Sequence, residues 1–319
     1  MAKVVITDYE YPNIDVEREL ITGAGHELVP NQLFDEDKLM DATRDADLVI
    51  VQYAKITRRI IENLQHCKAL VKYAIGIDNI DAKAATERGI YVCNVPDYGL
   101  DEVSNHAIAL LMALARKLPQ ADKVLKSGTW GNGSIRPLHR MAGGTLGIAG
   151  FGALGRLVAK KMSNFSMNIL AFDPYVDPAQ AKELGVEMVD FETLCRRSDY
   201  ISVHCPLTDA TRHIFNRDAF KAMKNTAFFV NTARGGVVNG DDLAEAIKAG
   251  EIAGAGLDVY EQEPLSKDSP LLGFENVITT GHVAWYTEES IQSLQRKVAE
   301  ETVNILAGNK PFHPCNKIG

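Results

Sequence analysis

The 319-residue chain contains only five cysteines, two tryptophans and 7% aromatic residues. Cys67, Cys93, Cys195, Cys205 and Cys315 make no CxxC pair and no zinc-finger spacing, which argues against a disulfide framework. An odd, scattered set in a chain of this length reads as reduced, mostly buried thiols. His204-Cys205 is at most half a metal site, and no second cluster completes it, so no metal is expected. Positive charge is also short, since 34 Lys and Arg against 42 Asp and Glu leave a net charge of -8. A nucleic-acid partner needs clustered cations to neutralise phosphates, and the balance argues against one. No apolar run approaches the roughly 20 residues that span a bilayer. The opening Met1-Ala2-Lys3-Val4-Val5-Ile6-Thr7-Asp8 turns polar too soon for a signal peptide and reads as a β-strand. A cytoplasmic location without a membrane partner is expected.

What is present is an alternation. A hydrophobic fraction of 46% and a charged fraction of 24% are those of an ordinary soluble enzyme, and the length suits two α/β units. Short apolar runs at 4–6, 48–51, 70–73 and 90–92 read as buried strands. Between them lie amphipathic stretches such as 81–88, which Gly89 stops as a C-terminal glycine. Asp101 is placed to cap a long apolar helix in which Ile108, Leu111, Met112 and Ala115 recur at helical spacing. After an irregular loop at 127–141, a second strand series runs through 145–150, 169–172, 200–203, 227–230, 255–257 and 277–279. A last helix covers about 288–306 with no strand after it. Strands alternating with helices predict βαβ units and parallel sheets.

Gly150-Phe151-Gly152-Ala153-Leu154-Gly155 matches GxGxxG, closes an apolar strand and opens a helix beginning Arg156-Leu157-Val158. Glycines there allow a tight turn, close approach of backbone to a pyrophosphate, and close helix–strand packing. The helix start offers unpaired N–H groups and a favourable dipole. The next strand ends in Asp173, about twenty residues on, where a carboxylate accepts hydrogen bonds from the adenosine ribose. Pro174-Tyr175-Val176 follows, with no cation for a 2′-phosphate, so NAD is predicted over NADP.

Three later strands end in chemistry. Asn231-Thr232-Ala233-Arg234-Gly235-Gly236 follows one, Leu257-Asp258-Val259-Tyr260-Glu261-Gln262-Glu263-Pro264 spans the end of the next, and Gly281-His282-Val283-Ala284-Trp285 follows the last. An arginine, a carboxylate and a histidine at neighbouring strand ends suit reduction of a 2-keto acid. The guanidinium forks onto the substrate carboxylate and polarises the keto oxygen. The histidine protonates that oxygen as hydride arrives at carbon, and a buried glutamate holds its ring.

With Val203-His204-Cys205-Pro206-Leu207-Thr208, these segments resemble the D-isomer-specific 2-hydroxyacid dehydrogenases over nearly the whole chain. The resemblance implies a catalytic set of Arg234, Glu263 and His282. It implies NAD contacts at Gly150, Gly152, Ala153, Leu154, Gly155, Asp173, Cys205, Thr232, Ala233 and Asp258, with Arg234 and His282 beside the cofactor too. Asp258 would partner the nicotinamide carboxamide. In the first domain, Tyr73-Ala74-Ile75-Gly76-Ile77-Asp78-Asn79-Ile80-Asp81 is similar to the family's carboxylate-binding turn, where the N–H groups of Ile75 and Gly76 would hold the substrate. A plain strand-to-helix turn is the other reading of that segment. Within the family, His282-Val283-Ala284-Trp285-Tyr286 and Cys93-Asn94-Val95-Pro96 look most like the C-terminal binding protein branch, some members of which are NAD-sensing co-repressors. Gly281 departs from the proline the family usually has there, and glycine leaves the histidine less fixed by its backbone.

The expected architecture is therefore two doubly wound α/β domains. A flavodoxin-like substrate domain comprises 1–98 plus 287–319, and a Rossmann NAD domain comprises 99–286. The active site is expected in the cleft between them, with hinge closure that excludes water. The family resemblance implies a homodimer, whose arm would be the apolar helix after Asp101 and the loop through Trp130. The expected function is NAD-dependent interconversion of a small 2-keto acid and its D-2-hydroxy acid. Phosphoglycerate oxidation, formate or phosphite oxidation, and a co-repressor-like NAD(H) sensor are the alternatives. The loop Gln52-Tyr53-Ala54-Lys55-Ile56-Thr57 carries one cation, which disfavours a phosphorylated substrate. Trp285, three residues beyond His282, would wall the pocket for the substrate side chain if the segment begins a helical turn.

Overall fold

The computed structural model describes residues 1–318, and the chain divides into two compact units, 1–99 with 286–319 and 100–285. In the first unit, strands β1 (Lys3–Ile6), β2 (Glu27–Pro30), β3 (Leu48–Val51), β4 (Ala69–Lys72) and β5 (Tyr91–Cys93) alternate with helices α1 (Asp15–Gly23), α2 (Glu36–Thr43), α3 (Arg58–Asn63) and α4 (Ala82–Glu87). The strands form one parallel sheet in the order β2-β1-β3-β4-β5, the flavodoxin-like doubly wound order. Every residue of β3 and β4 is buried, as parallel strands covered on both faces require. Side chains of Asp35, Thr57 and Asp81 cap α2, α3 and α4 by accepting backbone N–H groups one turn in.

The second unit opens with α5 (Leu100–Ala115) and α6 (Leu118–Lys126). It continues with β6 (Thr145–Ala149), α7 (Ala153–Met162), β7 (Asn168–Phe172), α8 (Pro178–Glu183), β8 (Val186–Met188), α9 (Phe191–Arg197) and β9 (Tyr200–Val203). Then come α10 (Arg217–Ala222), β10 (Phe228–Asn231), α11 (Gly240–Ala249), β11 (Gly254–Leu257) and β12 (Val277–Thr279). All seven strands are parallel, in the order β12-β11-β10-β9-β6-β7-β8. This is the Rossmann order with one strand added at the far edge, and the chain reverses direction across the sheet between β6 and β9. Two doubly wound parallel sheets are therefore present, as the alternation predicts.

The final helix, α12 (Glu288–Leu306), returns to the first unit, begins in a capping box at Thr287 and Ser290, and packs on α1. There Gln295 donates to Glu17, whose carboxylate is fully buried and also accepts the Tyr73 hydroxyl. Among the described residues no helix is long and apolar enough to cross a membrane, and no group of three or more His, Cys, Asp or Glu is arranged for a metal ion.

One boundary differs from the expectation. Asp101 is not the cap of α5 but lies in its first turn, because the helix already starts at Leu100. Its carboxylate reaches Lys161 on α7 at 2.6 Å and accepts from Asn105 at 2.9 Å, so it joins two helices instead of closing one end.

Candidate active site at the carboxyl edge of the seven-stranded sheet

The glycine turn is built by close packing. Gly150 has φ +93°, a conformation that glycine adopts without strain, and a methyl group there would collide with the backbone of Cys205. A methyl on Gly155 would run into the Gly150 carbonyl, so this glycine sets how near α7 lies to the turn. Gly152 differs from both, since nothing stands within 4 Å of where its Cβ would be. It is the N-cap of α7 and provides no side-chain cap, which leaves the N–H groups of the first turn, at Ala153, Leu154 and Gly155, for an anion.

Asp173 follows β7 directly, and its carboxylate accepts the Phe151 N–H at 2.9 Å and the Tyr175 N–H at 3.0 Å. The acid expected to meet the ribose thus also ties the end of β7 to the glycine turn. Arg156, left without a role by the sequence, donates to the Phe151 carbonyl at 3.0 Å, lies 5.7 Å over the Phe151 ring and bonds Gln180.

Beside this turn, β9 and β10 end in groups that lack partners. Thr232 is 7% exposed and its hydroxyl is buried without a hydrogen bond; Nδ1 of His204 is buried and equally unpartnered. Burial pushes the His204 imidazole down to about 4 and the Cys205 thiol up to about 11, so both are neutral at physiological pH. Buried polar atoms normally find partners. Orphaned ones beside an uncapped helix start and an open glycine suit a dinucleotide, which brings its own donors and acceptors.

The three predicted catalytic side chains come from adjacent strand ends. Because β10, β11 and β12 are neighbours, the loops after them deliver Arg234, Glu263 and His282 to the same edge. His282 Nδ1 and Glu263 Oε2 are 2.7 Å apart, and Glu263 Oε1 accepts the Tyr260 N–H at 2.9 Å. Arg234 donates to the Ala233 carbonyl at 2.7 Å. Desolvation is the largest single influence on the Glu263 carboxyl and pushes it up. The hydrogen bonds from His282 and Tyr260, with the charges of His282 and Arg234, outweigh it and hold the group below its ordinary range. Glu263 is not buried as expected, since its side chain is 35% exposed. It stands on a surface loop, so partners rather than enclosure fix its charge.

Backbone geometry aims the histidine. His282 has φ +57°, a left-handed conformation that costs a non-glycine residue about 1–2 kcal/mol. Asp258, 1% exposed, holds it there. Its carbonyl accepts the His282 N–H at 2.7 Å, and its carboxylate accepts Val283 and Ala284 N–H at 2.9 Å each and the Thr280 hydroxyl at 2.6 Å. The residue expected to partner the nicotinamide carboxamide is thus also the anchor of the histidine loop. It supplies the restraint that Gly281 does not. Trp285 meets the same loop through its indole N–H, which donates to the His282 carbonyl at 3.0 Å. The segment forms a turn rather than the helical turn that the spacing suggested.

Other positioning contacts were not assigned from sequence. Asn231 brackets the arginine turn by donating to the Arg234 carbonyl and accepting the Ala233 N–H, both at 3.0 Å. The Tyr260 hydroxyl donates to the Thr280 carbonyl at 2.8 Å and lies 3.1 Å from the Leu257 carbonyl, joining the ends of β11 and β12. A methyl group on Gly235 would overlap the Tyr260 carbonyl, so the arginine turn and the glutamate loop touch backbone to backbone. In the first unit, Ile75 and Gly76 follow β4 in a half-buried bend. Asn94 fixes that bend by donating to the Ile75 carbonyl at 2.5 Å.

Residues 108–284 match the family model described as D-isomer specific 2-hydroxyacid dehydrogenase, NAD binding domain. The chain belongs to the D-isomer-specific 2-hydroxyacid dehydrogenase family. A glyoxylate reductase of Thermococcus litoralis is 39% identical across 88% of the chain and 86% of that protein. A D-3-phosphoglycerate dehydrogenase of Methanocaldococcus jannaschii is also 39% identical and matches the whole chain, which spans 62% of its length. Among solved structures, a D-lactate dehydrogenase from Aquifex aeolicus complexed with NAD and lactic acid superposes with a TM-score of 0.88 at 27% identity, covering 96% of each chain.

Proposed function

We propose that the chain is an NAD-dependent D-2-hydroxyacid dehydrogenase that reduces a small 2-keto acid, with His282 as its proton donor. One observation carries the reading: Nδ1 of His282 is engaged by Glu263 at 2.7 Å on the edge that also receives Arg234. With Nδ1 committed to Glu263, Nε2 is the nitrogen left to face a substrate. Arg234 binds the substrate carboxylate and polarises the keto oxygen. Bound NADH supplies the hydride.

The residues that would hold the cofactor are the N–H groups at the start of α7, Asp173 at the ribose, and Cys205, Thr232, Ala233 and Asp258 along the neighbouring strand ends. Ile75 and Gly76 offer backbone N–H groups for the substrate carboxylate, and Trp285, whose indole braces the His282 carbonyl, is the candidate wall of the side-chain pocket even without a helical turn. Domain roles follow: residues 99–286 bind the dinucleotide, and 1–98 with 287–319 contribute to the substrate.

The names of the relatives support a keto acid between glyoxylate and phosphohydroxypyruvate in size. The single cation of the loop after β3, Lys55, favours an unphosphorylated substrate. The protein is a homodimer in this reading, because α6 has no buried residue and Leu118, Leu125 and Trp130 are 56%, 56% and 90% exposed. Five unpaired cysteines suit the reducing cytoplasm.

The test is steady-state oxidation of NADH with glyoxylate, hydroxypyruvate, pyruvate and longer 2-keto acids, alongside phosphohydroxypyruvate and, in the reverse direction, formate. Turnover of at least one unphosphorylated keto acid is expected. NADH binding without turnover of any substrate would favour the co-repressor-like alternative instead.

A further inference from the structure

The helix α5 packs against the sheet behind the catalytic loops. Gly256 on β11 allows a close approach, because its missing side chain leaves room for Leu110 and Leu114. One turn before Leu110, on the same face of the helix, is His106. Its side chain is 24% exposed, and Nε2 lies 3.0 Å from the Thr280 hydroxyl and 3.8 Å from the Asp258 carboxylate.

The hydrogen-bond directions follow from the neighbours. Thr280 gives its proton to Asp258, the stronger acceptor at 2.6 Å, so its oxygen can only accept from His106. Nε2 of His106 therefore carries a proton. The chain runs from the His106 N–H to the Thr280 hydroxyl and from that hydroxyl to the Asp258 carboxylate, whose oxygens hold the N–H groups of Val283 and Ala284. Without His106, the Thr280 hydroxyl loses the donor that orients it and is free to swing toward the Leu257 carbonyl, 3.4 Å away. The carboxylate then lacks one of the bonds that set its plane, and the left-handed backbone of His282 lacks a rigid anchor.

We infer that His106 is a positioning residue for His282, acting through Thr280 and Asp258. The inference rests on the reading of His282 as proton donor. His106 touches none of the three predicted catalytic side chains in the hydrogen bonds described, so its effect must travel through the threonine and the carboxylate.

The test compares His106→Ala, His106→Gln, Thr280→Val and the double variant His106→Ala/Thr280→Val. A displacement of a reacting group by under an ångström is costly, so His106→Ala should lower kcat by about tenfold. The KM for NADH should rise far less than kcat falls, because the glycine turn and Asp173 are untouched and only Asp258, at the nicotinamide end, is loosened. Glutamine can place an amide N–H near the position of Nε2, so His106→Gln should recover most of the loss. In the Thr280→Val background, His106→Ala should cost little more, since the path is already cut. Hydrogen exchange of the peptide covering 280–285 should be faster in His106→Ala than in the parent.

Fold losses that multiply in the double variant would overturn the inference. So would unchanged kcat and exchange in His106→Ala, or a lowered melting temperature and lowered kcat that glutamine does not restore. The exchange measurement needs no turnover, so it still decides on the tether if the parent protein reduces no keto acid, an outcome that would count against the role of His282 alone.

Discussion

Asp258 holds His282 from behind: its carbonyl takes the His282 N–H, and its carboxylate takes the next two N–H groups along the chain. A buried acid that keeps a left-handed histidine in place should matter for stability as well as for turnover. Asp258→Ala leaves the Val283 and Ala284 N–H groups without their acceptor, at roughly 1–3 kcal/mol for each that stays buried. A lowered melting temperature and a lowered kcat are expected together. Thermal unfolding and steady-state kinetics on the same preparation check this. An unchanged melting temperature would show that the loop does not depend on Asp258.

The glycine turn separates binding from folding. Gly152→Ala places a methyl group in open space at the start of α7, and its φ of -71° accepts any residue. This variant should fold with a parent-like melting temperature and bind NADH at least tenfold more weakly, by obstruction of the pyrophosphate. Gly155→Ala drives a methyl into the Gly150 carbonyl and should lose stability instead. Calorimetric titration with NADH, next to thermal unfolding, distinguishes the two. Parent-like affinity in Gly152→Ala would place the phosphates elsewhere.

Cofactor choice rests on Asp173, half-buried and bonded to the Phe151 N–H. A carboxylate facing a 2′-phosphate disfavours NADPH by roughly 1–3 kcal/mol, so kcat/KM should favour NADH by at least tenfold. Asp173→Ala should narrow the ratio, mainly by weakening NADH. Equal use of both cofactors by the parent would refute the assignment, and would turn attention to Arg156, a cation bonded to the turn.

The strands and the glycine turn were legible because burial on both faces demands apolar runs, as in β3 and the first three residues of β4. Two strands gave no such signal. In β2 (Glu27–Pro30) and β8 (Val186–Met188) the edge position leaves part of each strand exposed, and a glutamate or a proline interrupts the run. Arg234, Glu263 and His282 could be placed together from sequence because each follows a strand of one parallel sheet. The exposure of Glu263 could not, since it depends on the path of a surface loop. Neither could His106, whose contact with Thr280 spans 174 residues of sequence and depends on how closely α5 approaches Gly256.

The pH dependence follows from Glu263. Its carboxyl is held below the ordinary range, so it stays ionised, and the pair with His282 stays intact, until the pH falls below the usual carboxylate value of about 4.3. The pairing contribution is thus present above that value and lost as pH drops through the depressed one. Keto acid reduction should therefore weaken as the pH falls below that value, and Glu263→Gln, which cannot ionise, should lose this acid limb, measured as kcat/KM between about pH 3.5 and 7. An acid limb that persists unchanged in Glu263→Gln would show that the carboxylate does not hold the histidine.

The central claim is that His282 delivers the proton, and one comparison tests it most directly: kcat for the preferred keto acid in the parent and in His282→Ala, with NADH affinity measured on both. A fall in kcat of about 10²–10⁴ is expected, the usual range for a lost general acid, with a much smaller loss of NADH affinity because the glycine turn at Gly150–Gly155 and Asp173 are unchanged. Near-parent turnover in His282→Ala would contradict it.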